Sequence, residues 1–224
     1  MNCALTEHND IDSNLKAYMD RNNIIPLVTC VNMSSYLTVS LNHNRNFFKD
    51  YYVLTSSTDS KTIELCKQNN VNVIEYNQFY IRGAKFNKSG AIKFAQQKLH
   101  KLYPSSWILL LDVDVIITDE CIDKINKTEL NKSYLYGVQR YDVWNSEELH
   151  NKNLTRLYSN VNPCGYFQLY YNKNMYYPEF SKNASCCDIL FIRKFKSACK
   201  LKKSYIFHIG KEGSHWDGKT VDWQ

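Results

Sequence analysis

Trp107-Ile108-Leu109-Leu110-Leu111-Asp112-Val113-Asp114-Val115-Ile116-Ile117 decides how this chain is read. Residues 107–111 are apolar in succession, the pattern of a strand buried on both faces of a sheet. Two carboxylates follow at once, one residue apart. In an extended chain alternate residues face the same side, so Asp112 and Asp114 are expected to converge. Two anions beside a buried strand repel each other and are poorly solvated, so they need a cation or protons. A hard divalent ion, Mg²⁺ or Mn²⁺, meets that need with oxygen ligands. The D-x-D pattern also arises by chance in surface turns. Its place at the end of an apolar strand favours the metal reading.

On the N-terminal side the text is a run of strand–helix units. Ile25 to Val31 reads as a buried strand, and Ser34 and Ser35 offer caps for a helix to about Asn44. Tyr51 to Thr55 and Val71 to Glu75 read as two more strands. A capped helix carrying Ile63, Leu65 and Cys66 lies between them. Residues from about Asn87 to His100 form a helix with Ile92, Ala95 and Leu99 at helical spacing, ended by Pro104. Strands alternating with single helices imply an α/β fold, a mostly parallel sheet with helices on both faces. In such sheets ligands bind beyond the carboxyl ends of the strands. On the C-terminal side, Leu135 to Val138, Tyr166 to Tyr171 and Ser204 to Phe207 read as strands, and Cys186 to Ala198 as a helix. Residues 1–23 read as a polar arm. Residues 24–224 read as one domain, with a ligand-facing half to about residue 117 and a smaller second half from about 118.

A second constellation closes the chain: Phe207-His208-Ile209-Gly210-Lys211-Glu212-Gly213-Ser214-His215-Trp216-Asp217-Gly218. A histidine leaving a strand can supply an imidazole ligand, the glycines permit close backbone approach, and Lys211 can face phosphate. Alone, His208 would read as an ordinary hydrogen-bonded histidine. With the D-x-D it reads as a ligand.

Composition limits the alternatives. The 224 residues, 44% apolar and 22% charged, suit one globular α/β domain. The net charge of +6 suits an anionic ligand. No basic run is interleaved with aromatics along one element, so nucleic acid is not the expected partner. No run of 18 apolar residues occurs and the first residues lack the order of a signal peptide, so no membrane span and a cytoplasmic location are expected. Eight cysteines show no C-x-x-C pairing, which argues against a structural zinc site. The sequons Asn32-Met33-Ser34 and Asn87-Lys88-Ser89 read as unused.

Taken in order, the strand–helix start, the D-x-D after an apolar strand and the late strand–His–x–Gly–Lys loop resemble GT-A glycosyltransferases, across roughly Leu27 to Trp216. The resemblance implies a Rossmann-like GT-A domain, a nucleotide-diphosphate sugar donor (UDP- or GDP-linked), a glycan, glycoprotein or other hydroxyl acceptor, and Mn²⁺ or Mg²⁺ as cofactor. It implies Asp112, Asp114 and His208 as metal ligands. Asp112 and Val113 would lie near the ribose, and Thr29, Val31, Asn32 and Asp59 where the nucleoside is read. Arg82 and Lys88, close to a helix start, would meet phosphate or sugar hydroxyls, as would Gly210 and Lys211. Gln168 would face the donor sugar. Asp188 would be the base on an acceptor hydroxyl, or else a plain helix cap; inverting and retaining chemistry both stay open. A haloacid-dehalogenase-type phosphohydrolase is the rival, because residues 109–115 match its strand–DxD pattern, with Asp112 as nucleophile and Asp114 as acid/base. Three strand–helix units before the motif and no late acidic pair speak against it. A nucleotide-sugar-binding domain without turnover is the non-enzymatic alternative.

Overall fold

The computed structural model describes residues 23–158, 163–185, 187–210, 217 and 223; the expected N-terminal arm, residues 1–23, lies almost wholly outside them. In chain order the elements are β1 (Ile24–Thr29), α1 (Ser34–Asn44), β2 (Tyr52–Thr55), α2 (Ser60–Gln68), β3 (Asn72–Glu75), α3 (Lys88–Leu102), β4 (Trp107–Asp112), β5 (Val115–Ile117), α4 (Asp119–Lys127), β6 (Tyr134–Val143), α5 (Ser146–His150), β7 (Phe167–Tyr171), α6 (Cys187–Ile192) and β8 (Ser197–Ile209). The eight strands form one sheet in the order β3-β2-β1-β4-β7-β6-β8-β5. The first four are parallel to one another. β7 turns the direction, running antiparallel to both β4 and β6. β6 and β8 are parallel, and β5 closes the edge antiparallel to β8.

The decisive stretch behaves as its pattern predicts. Leu109 and Leu111 join one hydrophobic cluster and Ile108 and Leu110 the other. One face of the sheet is covered by α1 and α4 through Leu37, Leu41, Ile122 and Ile125. The opposite face is covered by α3 and α6 through Ala91, Ile92, Leu99 and Phe191. Helices on both faces of a largely parallel sheet make this a GT-A, Rossmann-like α/β fold.

α4 was not evident from apolar spacing, yet its local chemistry is complete. Thr118 Oγ1 accepts from the Cys121 N–H at 3.2 Å, Asp119 and Glu120 occupy the first turn, and Lys124 and Lys127 the last. Caps and charges thus match the helix dipole at both ends. The short β5 is held from its free side by one side chain: Asn44 donates to Val115 O at 2.7 Å and accepts from the Ile117 N–H at 2.8 Å. It replaces the ladder bonds that a further strand would supply.

The helix expected over Cys186 to Ala198 stops at Ile192, and the last strand is far longer than Ser204 to Phe207. The stretch Ile189 to Phe195 suits a helix locally, but residues from Ser197 pair with β6, and that ladder decides the conformation. Gly137 faces Lys200 while Gln139 faces Tyr205, so Leu201 to Ser204 bulge out opposite a single residue. Lys203 sits at φ +60° inside the bulge.

Candidate active site

β1 and β4 run in register to a common end, where Thr29 lies beside Asp112. The crevice beyond it is where parallel sheets bind ligands. Asp112 is the last residue of β4 and Val113-Asp114 turn the chain into β5. The two carboxylates are therefore set by a turn, not by one strand repeat. They find different partners.

Asp112 pairs with Lys88, the first residue of α3. Burial works against the charged ammonium, but Asp112 more than offsets it, and Lys88 stays protonated well above the ordinary lysine range. Burial and the nearby Asp114 charge push the Asp112 carboxyl up, with Lys88 opposing them. α3 is capped by Asn87, whose Oδ1 accepts from Gly90 and Ser181 N–H groups at 3.1 and 3.0 Å and whose Nδ2 donates to Tyr76 Oη and Gln78 O. That side chain is fully engaged within the protein.

Asp114 meets His208 instead. Asp114 Oδ2 lies 3.2 Å from His208 Nε2, and both side chains are 8% exposed. The backbone seals the approach: Ile209 N–H donates to Asp114 O at 2.8 Å, and Val115 sits opposite His208 in the ladder. On the far side of the ring, Nδ1 lies 3.1 Å from Asp142 Oδ1, an ion-pair approach bent away from a straight hydrogen bond. Burial alone would lower the imidazole, but Asp114 and Asp142 outweigh it and raise His208 to about 9. Asp142 is itself held below the ordinary carboxylate range, with His208 and Arg140 outweighing its burial. Arg140 Nε donates to Asp142 Oδ1 at 2.7 Å. Cations and carboxylates thus alternate along Arg140, Asp142, His208 and Asp114.

Asp142 and Arg140 were not singled out in the sequence. The signal was present: two opposite charges two residues apart, hence on one face, inside the mainly aromatic and apolar stretch Tyr134 to Val143.

The other expected residues divide. Asp59 caps α2, accepting from Thr62 N–H at 3.2 Å, and also accepts from Asn32 N–H at 2.6 Å and Thr55 Oγ1 at 3.2 Å. Its carboxylate holds Asn32 in the left-handed conformation, φ +57°, at the mouth of the crevice. Thr29, Val31 and Val113 are buried as whole residues, backbone included. Arg82 is exposed, in a one-turn helix at φ +55° followed by Gly83 at +72°. Gly210 leaves β8 at φ +105°, a conformation suited to glycine, and donates to Val143 O at 2.8 Å. Lys211 lies outside the described residues. Gln168 is wholly buried on β7; its Oε1 accepts from Tyr177 Oη at 2.5 Å and its Nε2 donates to Pro163 O at 3.4 Å. Asp188 stands in the first turn of α6 and accepts from Gly165 N–H at 2.8 Å. Beside it the Cys187 thiol, pushed up to about 12 by burial, feels both Lys88 and Asp112, which ties Asp188 to the same neighbourhood.

Among the described residues no three His, Cys, Asp or Glu side chains surround one point as a metal would require. The expected trio is split, because Asp112 is engaged by Lys88. Asp114 Oδ2 and His208 Nε2, 3.2 Å apart, contact each other directly as an ion pair.

No family model matches the chain, and no curated protein does. Solved structures do. A mycobacterial protein superposes with TM-score 0.51 at 12% identity, over 91% of this chain and 73% of its own. That likeness bears on the fold and agrees with the GT-A architecture. More distant are glucosyl-3-phosphoglycerate synthase from Mycobacterium tuberculosis, solved with Mn²⁺ and UDP (TM-score 0.42, 11% identity, 87% and 74% covered), and mannosyl-3-phosphoglycerate synthase from Rubrobacter xylanophilus (0.42, 10%, 58% and 44%). The matched region spans under half the length of the latter. No helix among the described residues is long and apolar enough to cross a membrane.

Proposed function

We propose that this chain is a glycosyltransferase that moves a sugar from a nucleotide-diphosphate donor, UDP- or GDP-linked, to a hydroxyl acceptor. The observation that carries the reading is the meeting of Asp114 and His208, nearly a hundred residues apart, beside the Lys88–Asp112 pair at the carboxyl end of β4. A strand-end crevice holding a lysine ammonium, two carboxylates and an imidazole suits a diphosphate and a divalent cation together.

In this reading Asp112, Asp114 and His208 would be the residues that hold Mn²⁺ or Mg²⁺, and Lys88 would meet the donor phosphates. The metal would supply charge stabilisation on the departing diphosphate. Lys88 would add a second positive charge there, and Lys211 a third from the loop after β8. Asn32, held by Asp59, together with Thr29, Val31 and Val113, would border the nucleoside. Arg82 would reach the donor from the rim. Asp188, fixed through one oxygen by Gly165 N–H, keeps its other oxygen for an acceptor hydroxyl. Gln168 would act through its backbone and its hold on Tyr177. Glycans, glycoproteins and other hydroxyl compounds all fit as acceptors.

The test is release of nucleoside diphosphate from UDP- and GDP-sugars with Mn²⁺, slow to water and faster with acceptor, and lost in Asp114→Ala. Hydrolysis of an aryl phosphate that disappears in Asp112→Asn would hand the site to the phosphohydrolase reading. Metal-dependent binding of nucleotide sugar without any turnover would reduce the protein to a binding domain.

A further inference from the structure

β6 and the segment after α5 carry aromatic and charged residues that the reading above does not use. Residues 156–158 run antiparallel to the end of β6: Asp142 N–H donates to Arg156 O and Tyr158 N–H to Arg140 O, each at 2.9 Å, about a bridge between Tyr141 and Leu157. Alternation along both segments puts Arg156 and Tyr158 on the face of Arg140 and Asp142, and Leu157 on the reverse. Guanidinium groups and rings then stack in two steps, Arg140 over Tyr158 at 4.5 Å and Arg156 over Trp144 at 3.9 Å. The inner step is built on a buried arginine, whereas the outer one reaches the surface, with Trp144 48% exposed. Trp144 is firmly held there. Glu148 Oε2 accepts its backbone N–H at 2.8 Å, and the two oxygens of the same carboxylate take the Arg156 guanidinium at 2.6 and 2.8 Å. Asn145 Oδ1 in turn caps α5 by accepting Glu148 N–H at 2.8 Å. One carboxylate thus fixes both the backbone of the tryptophan and the cation lying on its ring.

We propose that Trp144, braced by Arg156 and Glu148, is a subsite for a sugar ring of the acceptor, which makes the acceptor a carbohydrate. The inference rests on the transferase reading and names the acceptor class that reading leaves open. Its first support is place. Gly210 N–H, as β8 leaves the site, donates to the carbonyl of Val143, the residue before Trp144. Asp142, opposite His208 in the ladder, is two residues back, roughly 7 Å along a strand. An acceptor entering the crevice along β6 therefore passes the indole. The nucleoside residues Asn32 and Asp59 follow β1 and β2, with β4 and β7 between them and β6, so the ring is not placed for the donor's base. Chemistry is the second support. A pyranose carries C–H bonds on its faces and hydroxyls around its edge, and it is matched by a flat apolar ring beside charged hydrogen-bonding groups. The indole supplies the first. Arg156, 32% exposed, and Glu148 supply the second. The exposed Leu157 lies on the reverse face, so it does not extend the indole into one apolar patch for another protein. The ring is also already held, so little side-chain freedom is lost when a sugar stacks on it.

The test has a binding arm and a kinetic arm. For binding, protein carrying ¹⁵N-tryptophan is titrated with methyl glycosides and disaccharides of glucose, galactose, mannose and N-acetylglucosamine, without donor or metal. Stacking reads the C–H face of the ring more than its full stereochemistry, so this panel suffices. The indole N–H signal that is missing in Trp144→Phe is the one expected to shift, and to saturate. For kinetics, release of nucleoside diphosphate from UDP- and GDP-sugars with Mn²⁺ is followed against the concentration of the sugar that binds best. Trp144→Ala is expected to raise the acceptor KM by about 10-fold, the scale of losing one stacked ring, with little change in kcat. Trp144→Phe keeps a ring and should recover most of that loss. Leu157→Ala should leave KM unchanged. Should Trp144→Ala fail to fold, Arg156→Ala releases the ring from its brace and should raise KM several-fold. A Trp144 signal that no sugar of the panel moves would overturn the inference. So would a Leu157→Ala defect equal to that of Trp144→Ala, the mark of a loosened surface. Turnover accelerated by glycerol as well as by any sugar would overturn it too, and leave the transferase standing. Sugar binding at Trp144 with no nucleoside diphosphate released from any donor would end the transferase reading, and the acceptor role with it.

Discussion

Asp112 and Asp114 are two residues apart, share a chemistry and border the same crevice, yet the structure treats them differently. Asp112 keeps 29% of its side chain exposed and pairs with Lys88, an ammonium on a flexible stem. Asp114 keeps 8% and meets a ring locked between two carboxylates. A lysine ammonium exchanges partners easily, because it is a point charge on rotatable bonds. A buried imidazole wedged between two carboxylates does not. The first carboxylate is thus a replaceable contact and the second part of the framework. Each experiment below is aimed at that contrast.

The largest effect should come from Asp114→Ala. Removing one member of a buried pair leaves the other uncompensated, a loss of 3–5 kcal/mol where the survivor stays charged. His208 can shed its proton, so about 2–4 kcal/mol is expected here, read as a fall in the urea midpoint. Metal-dependent nucleotide binding should vanish with it. A midpoint that does not move would show that Asp114 is no more structural than Asp112.

Next comes pH. His208 is raised from 6.5 to about 9 in the folded protein. Its contribution is therefore fully present below about pH 6.5 and is lost as pH rises through 9. In the metal-free protein this amounts to about 2–3 kcal/mol between those limits. The comparison of wild type with His208→Gln isolates it: the variant should lack that part of the decline. Metal binding runs the other way. At pH 7 the ion must displace a ring proton, so Mn²⁺ affinity should climb as pH rises toward 9. An affinity flat across that range would mean that His208 is not a ligand.

A third variant, Lys88→Met, tests how replaceable the first contact is. Stability should drop by only about 1 kcal/mol, since Asp112 retains water. Without its ammonium, Asp112 becomes available to a cation, so Mn²⁺ affinity in the absence of nucleotide should rise several-fold while nucleoside diphosphate affinity falls. A fall in both would make Lys88 a structural support.

What was legible in the sequence follows the same divide between local and long-range causes. The β1–β4 half is built from consecutive strand–helix units whose apolar spacing is local, and the strand ends at Thr55 and Glu75 were visible, with that of β4 read one residue short, at Leu111. So were the D-x-D strand and His208, because each announces itself within a few residues. Asp142 was not read, since its meaning comes from lying opposite His208 across the β6–β8 ladder, 66 residues on. The run from Ile189 to Ala198 misled for the same reason. Its spacing suits a helix, while the partner strand that claims Ser197 onward lies about sixty residues earlier. Lys88 was read as a phosphate contact from its place at a helix start. Its hold on Asp112 could not be read, because that depends on where α3 sits against the end of β4.

The smallest effect should come from Lys85, and it completes the contrast from the solvent side. Lys85 lies in the loop before α3 that also carries Arg82, and its Nζ reaches Asp217 Oδ2 at 2.8 Å, across 132 residues of chain. On sequence separation alone it would rank with the Asp114–His208 contact as a long-range tie. Its setting differs: the lysine side chain is 70% exposed and the aspartate 31%. Water and salt screen such a pair, and holding a long side chain in one geometry costs entropy comparable to the attraction gained. Lys85→Ala is therefore expected to shift stability by at most about 0.5 kcal/mol, with any shift shrinking further in 0.5 M NaCl. Nucleoside diphosphate affinity should stay within twofold, since Lys88 and not Lys85 reaches the carboxylate at the end of β4. A tenfold loss of that affinity would bring Lys85 into the donor site, and the line drawn here between framework and replaceable contacts would have to move outward to the rim.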